Sequence, residues 1–139
     1  MKETFAFQIT VFYREFLAYT TAELKKLGLS FGQMPLILYV GKHPDCTQAE
    51  LTKALRLDWG YSQRSIAKLA KSGFMNKEPD KIKSGNCLIL TEKGEHAFAV
   101  CHDVFASWDS LHLSKLTSDE KEALFLLLNK IKAEGKESE

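Results

Sequence analysis

The chain has 139 residues, of which 45% are apolar and 27% charged, enough to bury the core of one domain and too apolar for a disordered tail. No apolar run reaches the roughly 18 residues of a membrane span, and Glu3, Arg14 and Glu15 interrupt the first stretch, so neither a membrane helix nor a signal peptide is expected. Three cysteines without paired spacing make no disulfide framework.

The first element is a helix over 5–27, because Phe5, Ile9, Phe12 and Phe16 recur at helical steps and Leu24 and Leu27 extend the stripe. Tyr13 and Leu17 widen that stripe, which predicts two packing partners, and Gly28 is a suitable C-terminal stop. Ser30 with Gln33 forms a capping box for a second helix, whose apolar face is Met34, Ile37 and Leu38. Pro35 predicts an irregular start there. After the break at His43-Pro44-Asp45, Thr47 with Glu50 caps a short helix to about Leu55, with Leu51, Ala54 and Leu55 inward. Asp58 caps a fourth helix with Ile66 and Leu69 on its core face, ended by Gly73. Phe74–Glu78 and Asn86–Leu90 read as a hairpin around a turn-rich loop. Thr91 caps a helix carrying Ala97, Val100, Cys101, Val104, Phe105 and Trp108, and Thr117 with Glu120 opens a last one through Leu124, Leu127, Leu128 and Ile131.

The net charge of +1 hides an uneven distribution. Between Lys42 and Lys93 ten basic residues face six acidic ones, a local +4, while the rest of the chain is −3. Either the middle meets a polyanion or it is a solvated mixed surface. Enzyme chemistry is not expected, because there is no phosphate-cradling loop, no His-Glu-x-x-His and no glycine-flanked serine. The histidines at His43, His96, His102 and His112 are scattered, so no metal or other cofactor is expected. Cys46 lies beside a helix N-terminus, where the dipole favours a thiolate, and is the redox candidate. Its bland alternative is a small apolar residue in a reducing compartment.

The informative constellation is the pair of helices 47–55 and 58–72, a helix-turn-helix whose second member would enter a major groove. With Ile66 and Leu69 inward, Ser62, Gln63 and Lys68 are expected to face outward or to the side. Gln pairs with adenine, Arg with guanine, and Tyr meets a thymine methyl or a phosphate. Lys77, Lys81 and Lys83 would reach a flanking groove from the hairpin.

These stretches in this order resemble the MarR family of winged helix-turn-helix transcriptional regulators over nearly the whole chain. The likeness rests on Leu29-Ser30 with Gln33, His43-Pro44 before Thr47-Gln48-Ala49-Glu50-Leu51, and Asp58 with Arg64. It continues through Lys71-Ser72-Gly73-Phe74, Leu90-Thr91-Glu92-Lys93-Gly94 and Leu116-Thr117 with Glu120. The resemblance implies a mainly α fold with a small β-hairpin wing, in which N- and C-terminal helices form a dimerisation region. On that reading residues 1–29 and 95–139 dimerise, and 30–94 form the DNA-binding lobe. It further implies a cytoplasmic homodimer on palindromic double-stranded DNA, often released by a small aromatic or lipophilic effector, and no membrane partner.

The run Leu124–Leu128 covers most of a helix circumference, which favours a partner chain over an intrachain core. The chain departs from the family at the wing, where Asp80-Lys81-Ile82-Lys83-Ser84-Gly85 holds no Arg. It departs again at Trp59-Gly60-Tyr61, where Trp59 is expected to pack rather than read bases and Gly60 to weaken the first turn. The expected DNA contacts are Gln48, Gly60, Tyr61, Ser62, Gln63, Arg64, Lys68, Lys77, Lys81 and Lys83. An effector pocket is expected among Phe12, Tyr13, Phe16, Met34 and Trp108, each of which is otherwise core. The expected function is thus a dimeric repressor on a pseudo-palindromic operator. Its rivals are a winged-helix protein–protein module and a thiol-based redox regulator.

Overall fold

The computed structural model describes residues 2–79, 82 and 85–132. Its elements are α1 (Phe5–Lys25), a 3₁₀ turn (Phe31–Gln33), α2 (Met34–Lys42), β1 (Cys46–Thr47), α3 (Gln48–Ala54), α4 (Trp59–Lys71), β2 (Met75–Pro79), β3 (Asn86–Leu90), α5 (Glu92–His112) and α6 (Ser118–Ile131). The fold is mainly α with a small antiparallel sheet, as the sequence indicates. The chain divides into two compact units, Met1–Val104 and Phe105–Glu139, with the division inside α5.

In the first unit the local signals act as expected. Gly28 takes a φ of 78°, which lets the Leu29 N–H return to the Leu24 carbonyl at 3.0 Å and Gly28 N–H to Lys25 at 3.1 Å. The Ser30 N–H donates to Gln33 Oε1 at 2.9 Å, and one 3₁₀ turn precedes α2. Pro35 therefore sits in the first turn of α2, where its missing N–H removes no bond. One core joins all the layers: Leu24 from α1, Leu36, Ile37 and Val40 from α2, Leu51 from α3, Ile66 and Leu69 from α4, Met75 and Leu88 from the sheet, and Ala97 and Cys101 from α5. α2 and α5 approach so closely that a Cβ on Gly41 would run into the Phe98 ring.

Two local expectations need correction. Ala54 is exposed, and Thr52 is buried in its place. A strand at Cys46–Thr47 was not expected, since two residues show no alternation. Asp45, with a φ of 68°, turns the chain so that Cys46 pairs with Leu88 and Thr47 with Cys87. The sheet order is β1-β3-β2, and β2 pairs with β3 from Met75↔Leu90 to Pro79↔Asn86. Lys81 and Lys83 lie outside the described residues.

In the second unit Thr117 and Glu120 close their capping box at 2.9 and 3.1 Å and start α6. Leu124 and Leu128 are half-buried, whereas Phe125, Leu126, Leu127 and Ile131 are exposed. The Trp108 ring stacks on His112 with centroids 3.8 Å apart.

Candidate nucleic-acid interface

Beside the core residues Leu51, Ile66 and Leu69, a buried polar pair ties the two helices of the helix-turn-helix together. Thr52 Oγ1 lies 2.6 Å from the Gln48 carbonyl and 2.6 Å from Ser62 Oγ. A hydroxyl has one proton, so Thr52 donates to Gln48 and Ser62 donates to Thr52. This overturns the outward placement of Ser62: it is fully buried on α4 and bolts α4 to α3, so its side chain cannot reach a ligand. The turn between the helices closes as Leu57 N–H returns to the Thr52 carbonyl at 3.0 Å, with Arg56 at a φ of 54°.

Both ends of α4 are pinned. At the start, Asp58 Oδ2 accepts the Tyr61 N–H at 3.1 Å, so the first turn is ordered despite Gly60. A Cβ on Gly60 would come within 3.1 Å of Arg64 Nη1 and 3.2 Å of Asp58 Oδ2, so the glycine leaves the guanidinium its space. At the end, Gly73 repeats the closure seen at Gly28, with a φ of 86° and Phe74 N–H on the Leu69 carbonyl at 2.9 Å. The stretch after the wing then grips this end. Lys93 Nζ donates to the Ser72 carbonyl at 2.8 Å and lies 4.4 Å from the Phe74 ring centroid. Thr91 Oγ1 donates to the Gly73 carbonyl at 2.6 Å and accepts the Gly94 N–H at 3.0 Å. Gly94 is required because any Cβ there would collide with the Phe74 carbonyl.

The outward face of α4 carries Gln63, Arg64 and Lys68, all exposed, and Tyr61 is partly exposed at its start. Lys77 is exposed on β2. Neither Arg64, Lys68 nor Lys77 pairs with a carboxylate among the described residues. A cleft of about 300 Å³ runs between the starts of α3 and α4 and the sheet, lined by Thr47, Gln48, Ala49, Trp59, Gln63, Lys77, Gly85, Asn86 and Leu88. It brings together Gln48, Gln63 and Lys77 from the expected set. Gln48 Nε2 is buried there without a hydrogen-bond partner among the described residues. Contrary to the packing expected of it, Trp59 stands 53% exposed at the cleft.

The other expected sites fare differently. Tyr13 and Phe16 meet Phe31 edge-on, at 6.5 and 6.3 Å between ring centroids, and Phe12 is half-exposed. Met34 belongs to the core, and Trp108 lies in the second unit. Cys46 is only 4% exposed, which removes the access that a thiol sensor needs. Cys101 is also buried, and desolvation pushes its thiol up to about 11. No cluster of three or more metal-ligating side chains occurs among the described residues, and no described helix is long and apolar enough to cross a membrane.

No protein-family model matches the chain. It is 42% identical over 132 residues to the HTH-type transcriptional regulator BilQ of Clostridium symbiosum, covering 94% of this chain and 92% of that protein. A Listeria monocytogenes MarR-family transcriptional regulator solved with a 26-mer DNA superposes with a TM-score of 0.73 at 26% identity, over 94% of this chain and 87% of that one. The reduced form of MarR from E. coli shares the fold with a TM-score of 0.79 at 21% identity, over 94% and 97% of the two chains. With a regulator of this kind matched along nearly its whole length and the winged fold in place around α4, the chain belongs to the MarR family of helix-turn-helix transcriptional regulators.

Proposed function

We propose that the protein regulates transcription as a homodimer, with α4 of each copy in the major groove of a pseudo-palindromic operator. One observation carries this reading: α4, bolted to α3 through Ser62 and capped at both ends, presents Gln63, Arg64 and Lys68 to solvent, with Gln63 sharing a cleft with Lys77. Two copies related by a twofold axis would set their α4 helices about 34 Å apart, one turn of the duplex. Gln48, Gly60, Tyr61, Lys81 and Lys83 belong to the same contact set, Gly60 by making room for Arg64.

Residues 1–29 and 95–139 form the dimerising part in this reading, and 30–94 the DNA-binding lobe. Supporting it are exposed Phe5, Ile9, Phe12 and Tyr13 on α1, and, in the second unit, Phe105, Leu111, Phe125, Leu126, Leu127 and Ile131. Apolar exposure on that scale calls for a covering partner. A small aromatic or lipophilic effector bound among Phe12, Tyr13 and Phe16, and preferring the state unable to fit DNA, releases the operator in this reading. The regulator then acts as a cytoplasmic repressor and not as an enzyme.

Footprinting on the DNA beside its own gene tests the reading. Protection of two half-sites separated by one helical turn is expected, with affinity falling steeply as salt rises. Equal affinity for every duplex at moderate salt overturns it.

A further inference from the structure

The first turn of α4 carries an aromatic side chain that packing does not explain. Trp59 is the first residue of the helix, directly after the Asp58 cap that accepts the Tyr61 N–H, and leaves 53% of its surface exposed. Isolated exposed apolar residues are common and carry no meaning by themselves. Trp59 is not isolated: its indole borders the cleft that also holds Gln63 of the same helix and Lys77 of β2. Those neighbours supply a hydrogen-bonding amide and a cation on the face that carries the proposed duplex contacts.

The major groove offers such a side chain a single apolar feature, the C5-methyl group of thymine. Phosphates and the other base edges are polar. Next to the methyl, thymine presents the O4 acceptor where cytosine presents an amino donor. An indole adds only a donor, its Nε1–H, so it has nothing with which to satisfy the cytosine amino group. We propose that Trp59 is a specificity-determining residue, which sets its indole on a thymine methyl in each half-site and so selects thymine over cytosine there. The inference rests on the duplex-binding reading above. It assigns to Trp59 the sequence information at one position that Gln63 and Arg64 do not read.

The test starts from duplexes enriched by the wild-type protein from a randomised library. Each thymine of a half-site is then replaced by uracil, which removes the methyl and keeps the pairing. Wild type should lose about fourfold in affinity for each contacted methyl, at one position per half-site. Trp59→Ala should bind the thymine and uracil duplexes equally at that position, and Trp59→Phe should retain part of the difference. Circular dichroism of both variants should match wild type, since the side chain is half in solvent. Wild type without a uracil-sensitive position overturns the proposal, and so does Trp59→Ala with unchanged uracil sensitivity. Failure of the wild type to enrich any duplex instead sinks the regulator reading, and the inference with it.

Discussion

At the residue scale, Ser62 and Arg64 stand two positions apart on α4 and do opposite work. Ser62 is buried and donates to Thr52, while Arg64 is exposed beside the gap left by Gly60. Arg64→Ala should weaken operator binding about tenfold or more, the worth of one good base contact, with an unchanged melting temperature. Ser62→Ala should do the reverse. It should lower the unfolding free energy by about 1 kcal/mol in a denaturant titration and leave the base preference of the folded protein as it was. Cys101 gives a pH signature. Burial raises its pKa from 9.0 to about 11, so the folded state keeps a proton that the unfolded state gives up. Its contribution to stability is therefore complete below pH 9.0 and is lost as pH rises toward about 11. The difference in melting temperature between wild type and Cys101→Ala should narrow over that range. Below it, a thiol reagent should modify Cys101 slowly until denaturant is added.

At the element scale, α4 is held by the Ser62 hydroxyl and its buried Ile66 and Leu69, and further by contacts at its two ends. The Asp58 cap orders the start, and Thr91, Lys93 and Gly94 secure the finish against Ser72, Gly73 and Phe74. The Leu90–Gly94 stretch is thus a clamp joining β3, α5 and the end of α4. Gly94 is its most demanding member, because a methyl group there meets backbone that cannot rotate away. Gly94→Ala should cost at least about 2 kcal/mol, visible as a lower melting temperature. A melt indistinguishable from wild type would show that the Phe74 backbone and α5 can part without penalty. Gly28→Ala gives the comparison of a positive φ in open space, where only backbone strain of about 1 kcal/mol is at stake.

At the scale of the whole molecule, apolar surface is exposed within each of the two units: on α1 in the first, and on α6 and the end of α5 in the second. The protein should sediment at twice its 15.7 kDa chain mass. Leu127→Glu places a charge on one of the exposed α6 positions and should shift that mass toward the monomer. Operator affinity should fall with it, because a single α4 reads only half a site. A variant that stays at dimer mass would remove α6 from the interface. The uneven charge, +4 between Lys42 and Lys93 and −3 elsewhere, accords with the proposed DNA-binding lobe and dimerising part.

Helix starts and stops were legible in the amino-acid order because their causes lie within four residues of one another. Ser30 with Gln33, Thr47 with Glu50, Asp58, Thr117 with Glu120, and the two glycine stops at Gly28 and Gly73 all act locally. The apolar stripes through Ile66 and Leu69, and through Ala97, Cys101 and Val104, follow from the same short-range geometry. The order of these signals also carried the family resemblance. The surroundings of the small and amphipathic residues were decided only in three dimensions. Ser62 shares the inward face of Ile66 and Leu69 by its i, i+4, i+7 spacing, a signal the sequence did carry, while its partner Thr52, ten positions earlier, came only with the packing of α3. Ala54 stayed outside, and Cys46 joined a strand because β3 came to lie beside it. Gln48, Gln63, Lys77 and Trp59 became one cleft only when α3, α4 and the sheet converged. The sequence by itself thus determined the elements and their ends, since capping and periodicity act between near neighbours. The tertiary structure decided which side chains reach solvent at the interface, since that depends on partners the local sequence does not contain.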